Sequence, residues 1–496
     1  MSDSQNNTQP QISESEIIKV RHEKLQKLRE EGQDPFLQTK FDIDSYSEDI
    51  IENFDKKEGS DVKIAGRLMS KRVMGKASFG HVQDTKGQIQ IYVKRDWLGE
   101  EEYKAFKKMD IGDIVGVSGK VFKTQKGEIS VEATAVTLLS KSLLPLPEKY
   151  HGLKDLDLRY RQRYVDLIVN PEVKEVFITR SKIMREIRSF MDELGFLEVE
   201  TPVLSNHSTN SAARPFRTHH NTLDIDMFLR VETELALKRL IVGGLDKVYE
   251  IGRIFRNEGM SPRHNPEFTS IEIYQAYTDL EGMMNLTEAM FIHLADKVLG
   301  KRETEYQGEI ISFASPFERL SMVEAVKKYT GIDFDSFELD DEKARSAAKD
   351  AEVHVDDDAT WGEALNEVFE AKVEENLIQP TFIYNYPIEV SPLAKKIEGK
   401  PHMTARFEIF VTRRELGNAF TELNDPIDQR ERFEKQAIAK HGDEDYTIDE
   451  DFVTAMEYGM PPTGGLGIGL DRLIMLFTDA PSIRDVLLFP TMKPKE

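Results

Sequence analysis

The chain of 496 residues contains no cysteine. That absence excludes disulfides, thiolate metal centres and a cysteine nucleophile, and it fits a reducing compartment. No stretch approaches 18 consecutive apolar residues, so no membrane-spanning helix and no membrane role are expected. Residues 1–14 lack a basic stretch followed by an apolar core, so no secretory signal is read there and the expected location is cytoplasmic. Positive charge is the minority sign: 66 Lys and Arg stand against 89 Asp and Glu, a net of -23. Taken alone, that sum opposes nucleic-acid binding. With 39% apolar and 31% charged residues, the composition is that of a globular chain, and the length suits two to four domains at about 150 residues each.

The charge is unevenly spread. Residues 1–60 carry a net of -6, residues 61–150 a net of +5, and the remainder carries -22. A basic block therefore sits inside an acidic chain. Residues 1–60 read as a polar tail followed by a helical extension. In 15–31, Ile17, Ile18, Leu25 and Leu28 recur at helical spacing, and Gly32 and Pro35 end the helix. Its basic residues suit either a solvated face or contact with a phosphate backbone.

Residues 61–145 read as an all-β barrel of the oligonucleotide-binding type, with short strands parted by Lys86-Gly87 and Lys126-Gly127 turns. Phe79, His81 and Gln83 alternate, so they share one sheet face. An aromatic ring, an imidazole and an amide there can stack on and hydrogen-bond unpaired bases. A proline-bearing connector follows, and 146–496 reads as one α+β domain with a helical insertion at about 281–376. A helix to Leu194 is expected to close at Gly195, with a strand at 196–199. The acidic run Asp356, Asp357 and Asp358 reads as a solvated face.

Three clusters carry chemistry. The first is Phe255-Arg256-Asn257-Glu258, then His264-Asn265, then Phe268, Glu272 and Tyr274. It reads as two strands, about 247–256 and 267–277, joined by a loop, with Phe268, Ser270, Glu272 and Tyr274 on one face. A buried carboxylate costs several kcal/mol without a partner, so Glu272 should face a structural Arg or a cationic ligand. The second comprises Arg406, Glu408, Glu415, Asn418 and Glu422. Paired carboxylates without His or Cys suit Mg²⁺ or acid/base chemistry. Glu408 and Glu415 are seven positions apart, an odd spacing, so a turn or bulge must intervene. The third is the glycine run 464–469 before Asp471 and Arg472. It is no dinucleotide fingerprint, because only 24 residues follow Arg472.

Together the clusters resemble the three signature motifs of class II aminoacyl-tRNA synthetases. Longer runs, at 159–164, 255–268, 391–396 and 418–432, resemble the bacterial lysyl-tRNA synthetases. The resemblance covers about 61–493. It implies an α+β fold, an OB-type β-barrel reading the anticodon of tRNA(Lys) through Phe79, His81 and Gln83, and an antiparallel sheet flanked by helices that joins L-lysine to tRNA at the expense of ATP. It implies that Arg256 and Arg472 act catalytically on the phosphates. ATP would be held by Arg256, Glu258, His264, Asn265, Phe268 and Arg472, and Mg²⁺ by Glu408 and Glu415. Glu234 would take the α-amino group, with Glu272, Tyr274, Asn418 and Glu422 around the substrate and the ε-ammonium on Glu422 and Tyr274. A homodimer through the first motif is also implied. The chain departs from the family at Thr209-Asn210, where a Gly-Gly pair is usual, and at Ala135, near which relatives often have Glu.

Overall fold

The computed structural model describes residues 14–147, 153, 155–206, 213–439 and 448–495. The Thr209-Asn210 departure lies outside them. The chain divides into two compact units, Met1–Pro171 and Glu172–Glu496. Among the described residues no helix is long and apolar enough to cross a membrane.

The first unit holds a closed barrel of β1 (Asp61–Met74), β2 (Ala77–Gln83), β3 (Gln88–Lys94), β4 (Ile114–Lys123) and β5 (Ile129–Ser140), in the order β1-β2-β3-β5-β4. Only β3 and β5 pair in parallel. Alternating Val62 and Ile64, Val115 and Val117, and Ile89, Ile91 and Val93 fill its interior. The region is not wholly β as expected. Helices Arg95–Leu98 and Glu100–Lys108 lie between β3 and β4, and Tyr103 and Phe106 of the second plug the barrel core. The expected N-terminal helix spans Glu14–Glu30. Two of its basic residues serve neither solvent nor a phosphate backbone. Arg21 donates to the carbonyls of Ile111, Ser142 and Leu144, and Lys24 pairs with Asp110 at 2.6 Å. They fasten the helix to the barrel.

The second unit is built on a nine-stranded sheet. Its main path uses β6 (Leu197–Glu198), β7 (Lys247–Phe255), β8 (Glu267–Ala276), β9 (Glu318–Ser321), β10 (Thr381–Pro387), β11 (Lys400–Phe410), β12 (Glu415–Thr421) and β13 (Thr463–Gly469), in the order β9-β10-β11-β12-β13-β8-β7-β6. The pairs β9·β10 and β6·β7 are parallel, and the others on this path are antiparallel. The helix Glu172–Glu193 ends at Gly195, whose φ of 75° favours glycine. The expected strand at 196–199 shrinks to two residues. Beyond it, Thr201 leaves the ladder and donates through its N–H and Oγ1 to Glu250. The region expected to be helical has helices Leu280–Leu294, Met322–Thr330, Asp341–Asp350 and Trp361–Lys372, but also the hairpin Glu303–Tyr306 with Glu309–Ser312 and the strand β9. Asp356, Asp357 and Asp358 are exposed, as expected.

Candidate active site

Strand register builds the site. Glu408 on β11 stands opposite Asn418 on β12, Asn418 opposite Gly467 on β13, Gly467 opposite Glu272 on β8, and Glu272 opposite Glu250 on β7. Side chains directly opposite share a face, so these residues form one row across the sheet. The neighbouring row runs Arg406, Phe420, Gly465, Tyr274 and Val248. The glycines leave the middle strand without side chains, so a substrate can approach the sheet backbone. A Cβ at Gly465 would lie 1.9 Å from Glu422 Oε1 and 2.6 Å from the Tyr274 ring. Only glycine leaves room for both. The odd spacing between Glu408 and Glu415 is absorbed by a register shift at Ile409 and Phe410 beside the hairpin turn.

A cavity of about 410 Å³ opens on this face. Phe268, Ser270, Glu272 and Tyr274 of β8 form one wall, as the alternation predicts, and Glu415 and Asn418 of β12 another. Arg256, Glu258, His264 and Asn265 come from the β7–β8 loop, Arg472 from the helix Leu470–Phe477, and Glu232 and Glu234 from the entry of the helix Glu234–Val242. Such a volume suits one or two small molecules held by a few convergent polar groups.

Glu272 is half-buried and, among the described residues, has no cation at ion-pair distance. Of the two partners expected, the structural Arg is therefore missing. Desolvation and the Glu234 charge push its carboxyl up to about 7, against the Thr233 N–H at 3.2 Å and the more distant Arg256. The pocket thus favours a cation. Arg256 packs over Phe268, 5.3 Å from the ring centroid, and its Nε is buried with no hydrogen-bond partner. An orphaned guanidinium N–H asks for an anionic oxygen. Arg472 donates from Nη1 to the Glu415 carbonyl at 2.8 Å and brings Nη2 to 3.4 Å from His264 Nε2. Partial burial and the Arg472 charge push His264 below the usual histidine range. Asn265 is buried and donates to the Glu267 carbonyl.

Glu408 is pushed up to about 7, first by burial, with the like charge of Glu415 adding to it and Arg406 opposing. Two neighbouring carboxylates that resist ionising together are suited to a hard dication. Among the described residues, no group of three acidic or histidine side chains could hold a metal. Phosphate oxygens and water would have to complete the coordination of an ion on this pair.

Two expected residues do not line the cavity, Glu408 and Glu422. Glu422 is fully buried and pairs with the equally buried Lys238, which also meets Glu234 Oε1 at 2.5 Å. The charge pattern alone did not reveal Lys238, although its place four residues after Glu234 on a helix is legible. Two further contacts also escaped the sequence. Asp471, beside Arg472, accepts Arg180 of the helix Glu172–Glu193 at 2.5 Å and the Thr269 N–H at 2.8 Å. It therefore ties the three motif elements together. Arg406 donates to Asn418 Oδ1 at 2.9 Å and Glu408 Oε1 at 2.5 Å, fixing both.

On the barrel, Phe79 stacks on Tyr92 with centroids 4.6 Å apart, and His81 reaches Ser70 and Glu128. Both rings are partly open to solvent. Gln83 is not on an open face. It is 7% exposed, and its Nε2 donates to the Ile168 carbonyl at the end of the helix Arg163–Val169. Alternation places it on the face, but the helix end covers that part of the strand.

The class II (D, K and N) tRNA synthetase model matches residues 155–493, and the OB-fold nucleic acid binding domain model matches 62–139. The lysine–tRNA ligase of Moorella thermoacetica is 57% identical over 486 residues, covering 98% of this chain and 99% of that protein. That of Carboxydothermus hydrogenoformans is 56% identical, covering 97% and 99%. That of Bacillus subtilis is 55% identical, covering 96% and 97%.

Proposed function

The chain belongs to the class II tRNA synthetases and, within them, to the lysine–tRNA ligases, and from that premise we propose how its own residues carry the reaction. The enzyme activates lysine with ATP to lysyl-adenylate and transfers the lysyl group to tRNA. The observation that carries the residue-level reading is Glu272: a desolvated carboxylate with no protein cation, in the same cavity as the orphaned Arg256 Nε. One asks for an ammonium and the other for an anion, and an amino acid meeting ATP brings both.

In this reading adenine stacks on Phe268, with its amino group on Glu258 and Arg472 on the opposite side. His264 and Asn265 complete the nucleotide wall. The lysine carboxylate is already ionised at neutral pH, so its attack on the α-phosphorus needs no general base. Arg256 holds both the carboxylate and the α-phosphate, which converts the encounter into a positioned one and offsets the developing negative charge. Glu408 and Glu415 would hold Mg²⁺, which supplies charge neutralisation on the phosphates. Glu234 takes the α-amino group. Asn418, fixed by Arg406, and Glu272 flank the side chain. The ε-ammonium lies against Tyr274, with the charge of Glu422 directly behind that wall and its Oε1 without a hydrogen-bond partner. Pyrophosphate leaves as the adenylate forms; a ribose hydroxyl of the terminal adenosine of tRNA(Lys) then attacks the adenylate carbonyl and expels AMP, its proton passing to the departing phosphate.

We assign anticodon reading to the barrel within 61–145 and the chemistry to 146–496. Phe79 and His81 are presented for the anticodon, while Gln83 must first leave Ile168. A homodimer is supported by the exposed apolar side chains Ile178, Leu194, Leu197 and Leu204 around the first motif. The absence of cysteine and the translation role support a cytoplasmic location.

Removing one charge tests the amine site. Glu272→Gln should raise the lysine KM at least about tenfold, the scale of one charged hydrogen bond, and leave the ATP KM within about twofold. An unchanged lysine KM would remove Glu272 from the site.

A further inference from the structure

Lys238 stands one helical turn after Glu234 and on the same face. Its ammonium is wholly withdrawn from water, between Glu234 Oε1 and Glu422 Oε2. The Phe420 and Phe452 rings lie 5.6 and 5.9 Å from Nζ. A buried ion pair is weak support for a fold, and an apolar side chain of similar volume often serves stability as well or better. Stability alone therefore does not explain a lysine here.

The charges around it suggest a reason. Glu232, Glu234, Glu272 and Glu422 bring four carboxylates to this end of the site. Lys238 offsets one of them. The surplus is negative, and free lysine carries two ammonium groups. Resting on the lysine-activating reading above, we propose that Lys238 is a positioning residue of the amine site: it clamps Glu422 in place and leaves a surplus of negative charge for the two ammonium groups of a diamino acid.

The surroundings fit that role. Glu422 is wedged between Lys238 and the β13 backbone, since its Oε1 fills the space a Cβ at Gly465 would need. From β8, Glu272 and Tyr274 face the cluster, and Glu232 approaches from the chain before the helix. The next cation on the helix, Arg239, is committed elsewhere, to Asp449 and Asp451. Burial draws the Lys238 ammonium down, but Glu234 and Glu422 outweigh it and hold it above the usual lysine range. Burial pushes Glu422 well up, and Lys238 is the charge that works against this. Without Lys238, Glu422 would meet only burial and other carboxylates, and would hold more tightly a proton that lysine must displace on binding.

The test is lysine-dependent ATP–pyrophosphate exchange by the full chain between about pH 6 and 8, in wild type, Lys238→Met and Lys238→Arg. Lys238→Met should raise the lysine KM at least about tenfold at pH 7, with the ATP KM within about twofold. Its log KM should go on falling with pH to higher pH than in wild type, because Glu422 holds its proton further up the scale and lysine must displace it. Lys238→Arg keeps the charge in a bulkier group. It should raise the lysine KM by a smaller factor and keep the wild-type pH profile. A wild-type lysine KM and pH profile in Lys238→Met would overturn the proposal, as would lysine and ATP KM rising together. If Lys238→Met does not fold, Lys238→Arg decides, and a changed pH profile in it overturns the proposal. Lack of lysine-dependent exchange in the wild type would instead overturn the functional reading beneath it.

Discussion

Glu272 stands in a row with Glu408, Asn418, Gly467 and Glu250, and its neighbours decide its charge. Glu250 is matched by Arg230 at 2.5 Å and Glu408 by Arg406. Among the described residues Glu272 has no ion-pair partner; it meets Thr233 and has a weak contact from the Tyr274 hydroxyl at 3.4 Å, with Arg256 more distant. Burial and the Glu234 charge push its carboxyl up to about 7, which has a consequence for binding. Below that pH the carboxyl is protonated and neutral. Lysine binds as a cation and draws the proton off. The lysine KM should therefore be lowest above pH 7 and rise by about one decade per pH unit below it. Exchange kinetics at saturating ATP would show this, and a lysine KM that stays flat between about pH 6 and 8 would contradict it. The sequence made Glu272 a candidate through alternation alone. It could not show that no arginine would arrive, because partners such as Arg230 and Arg406 come from other strands and loops.

The glycine strand β13 and the helix after it show what elements contribute. Four glycines in seven residues normally weaken a strand. Here they sit between β12 and β8 and open the floor of the site. Gly465→Ala would drive a methyl group into Glu422 and Tyr274. It should raise the lysine KM by at least about tenfold while ATP binding changes little, with a destabilisation on the scale of about 1–3 kcal/mol for an overpacked site. A wild-type lysine KM in that variant would show that the floor can yield. The helix Leu470–Phe477 is anchored by Asp471, which is 2% exposed. Asp471→Ala removes the partner of Arg180 and frees the Thr269 N–H, so it should cost about 3–5 kcal/mol. Thermal unfolding reads this directly, and a loss below about 1 kcal/mol would show that the three motif elements do not depend on it. Strand alternation made β7 and β8 legible to within about a residue. The two-residue β6 and the helices inserted in the barrel were not legible, since tertiary contacts rather than periodicity fix them.

At the scale of the whole molecule the charge is divided by role. The net of -23 belongs mostly to the catalytic half, and the basic surplus lies in the barrel. Phosphate contacts release counterions, so the KM for tRNA should rise steeply with salt while lysine-dependent exchange without tRNA changes little. Equal salt dependence of the two would contradict that division. Phe79→Ala should weaken tRNA use by the worth of one stacked base, about 1–3 kcal/mol, and leave exchange intact. The sequence revealed this division through the block 61–150, but not that Arg21 and Lys24 are spent fastening the N-terminal helix to the barrel. In the proposed reading the surplus carboxylate charge of the cavity, Glu272 foremost, selects a diamino acid and the arginines activate it. The most direct test is ATP–pyrophosphate exchange with each amino acid in turn, without tRNA. Lysine should support exchange, and neutral amino acids should show at least about a hundredfold lower kcat/KM, since they leave Glu272 without a cation. Comparable exchange with a neutral amino acid such as leucine or methionine would contradict it.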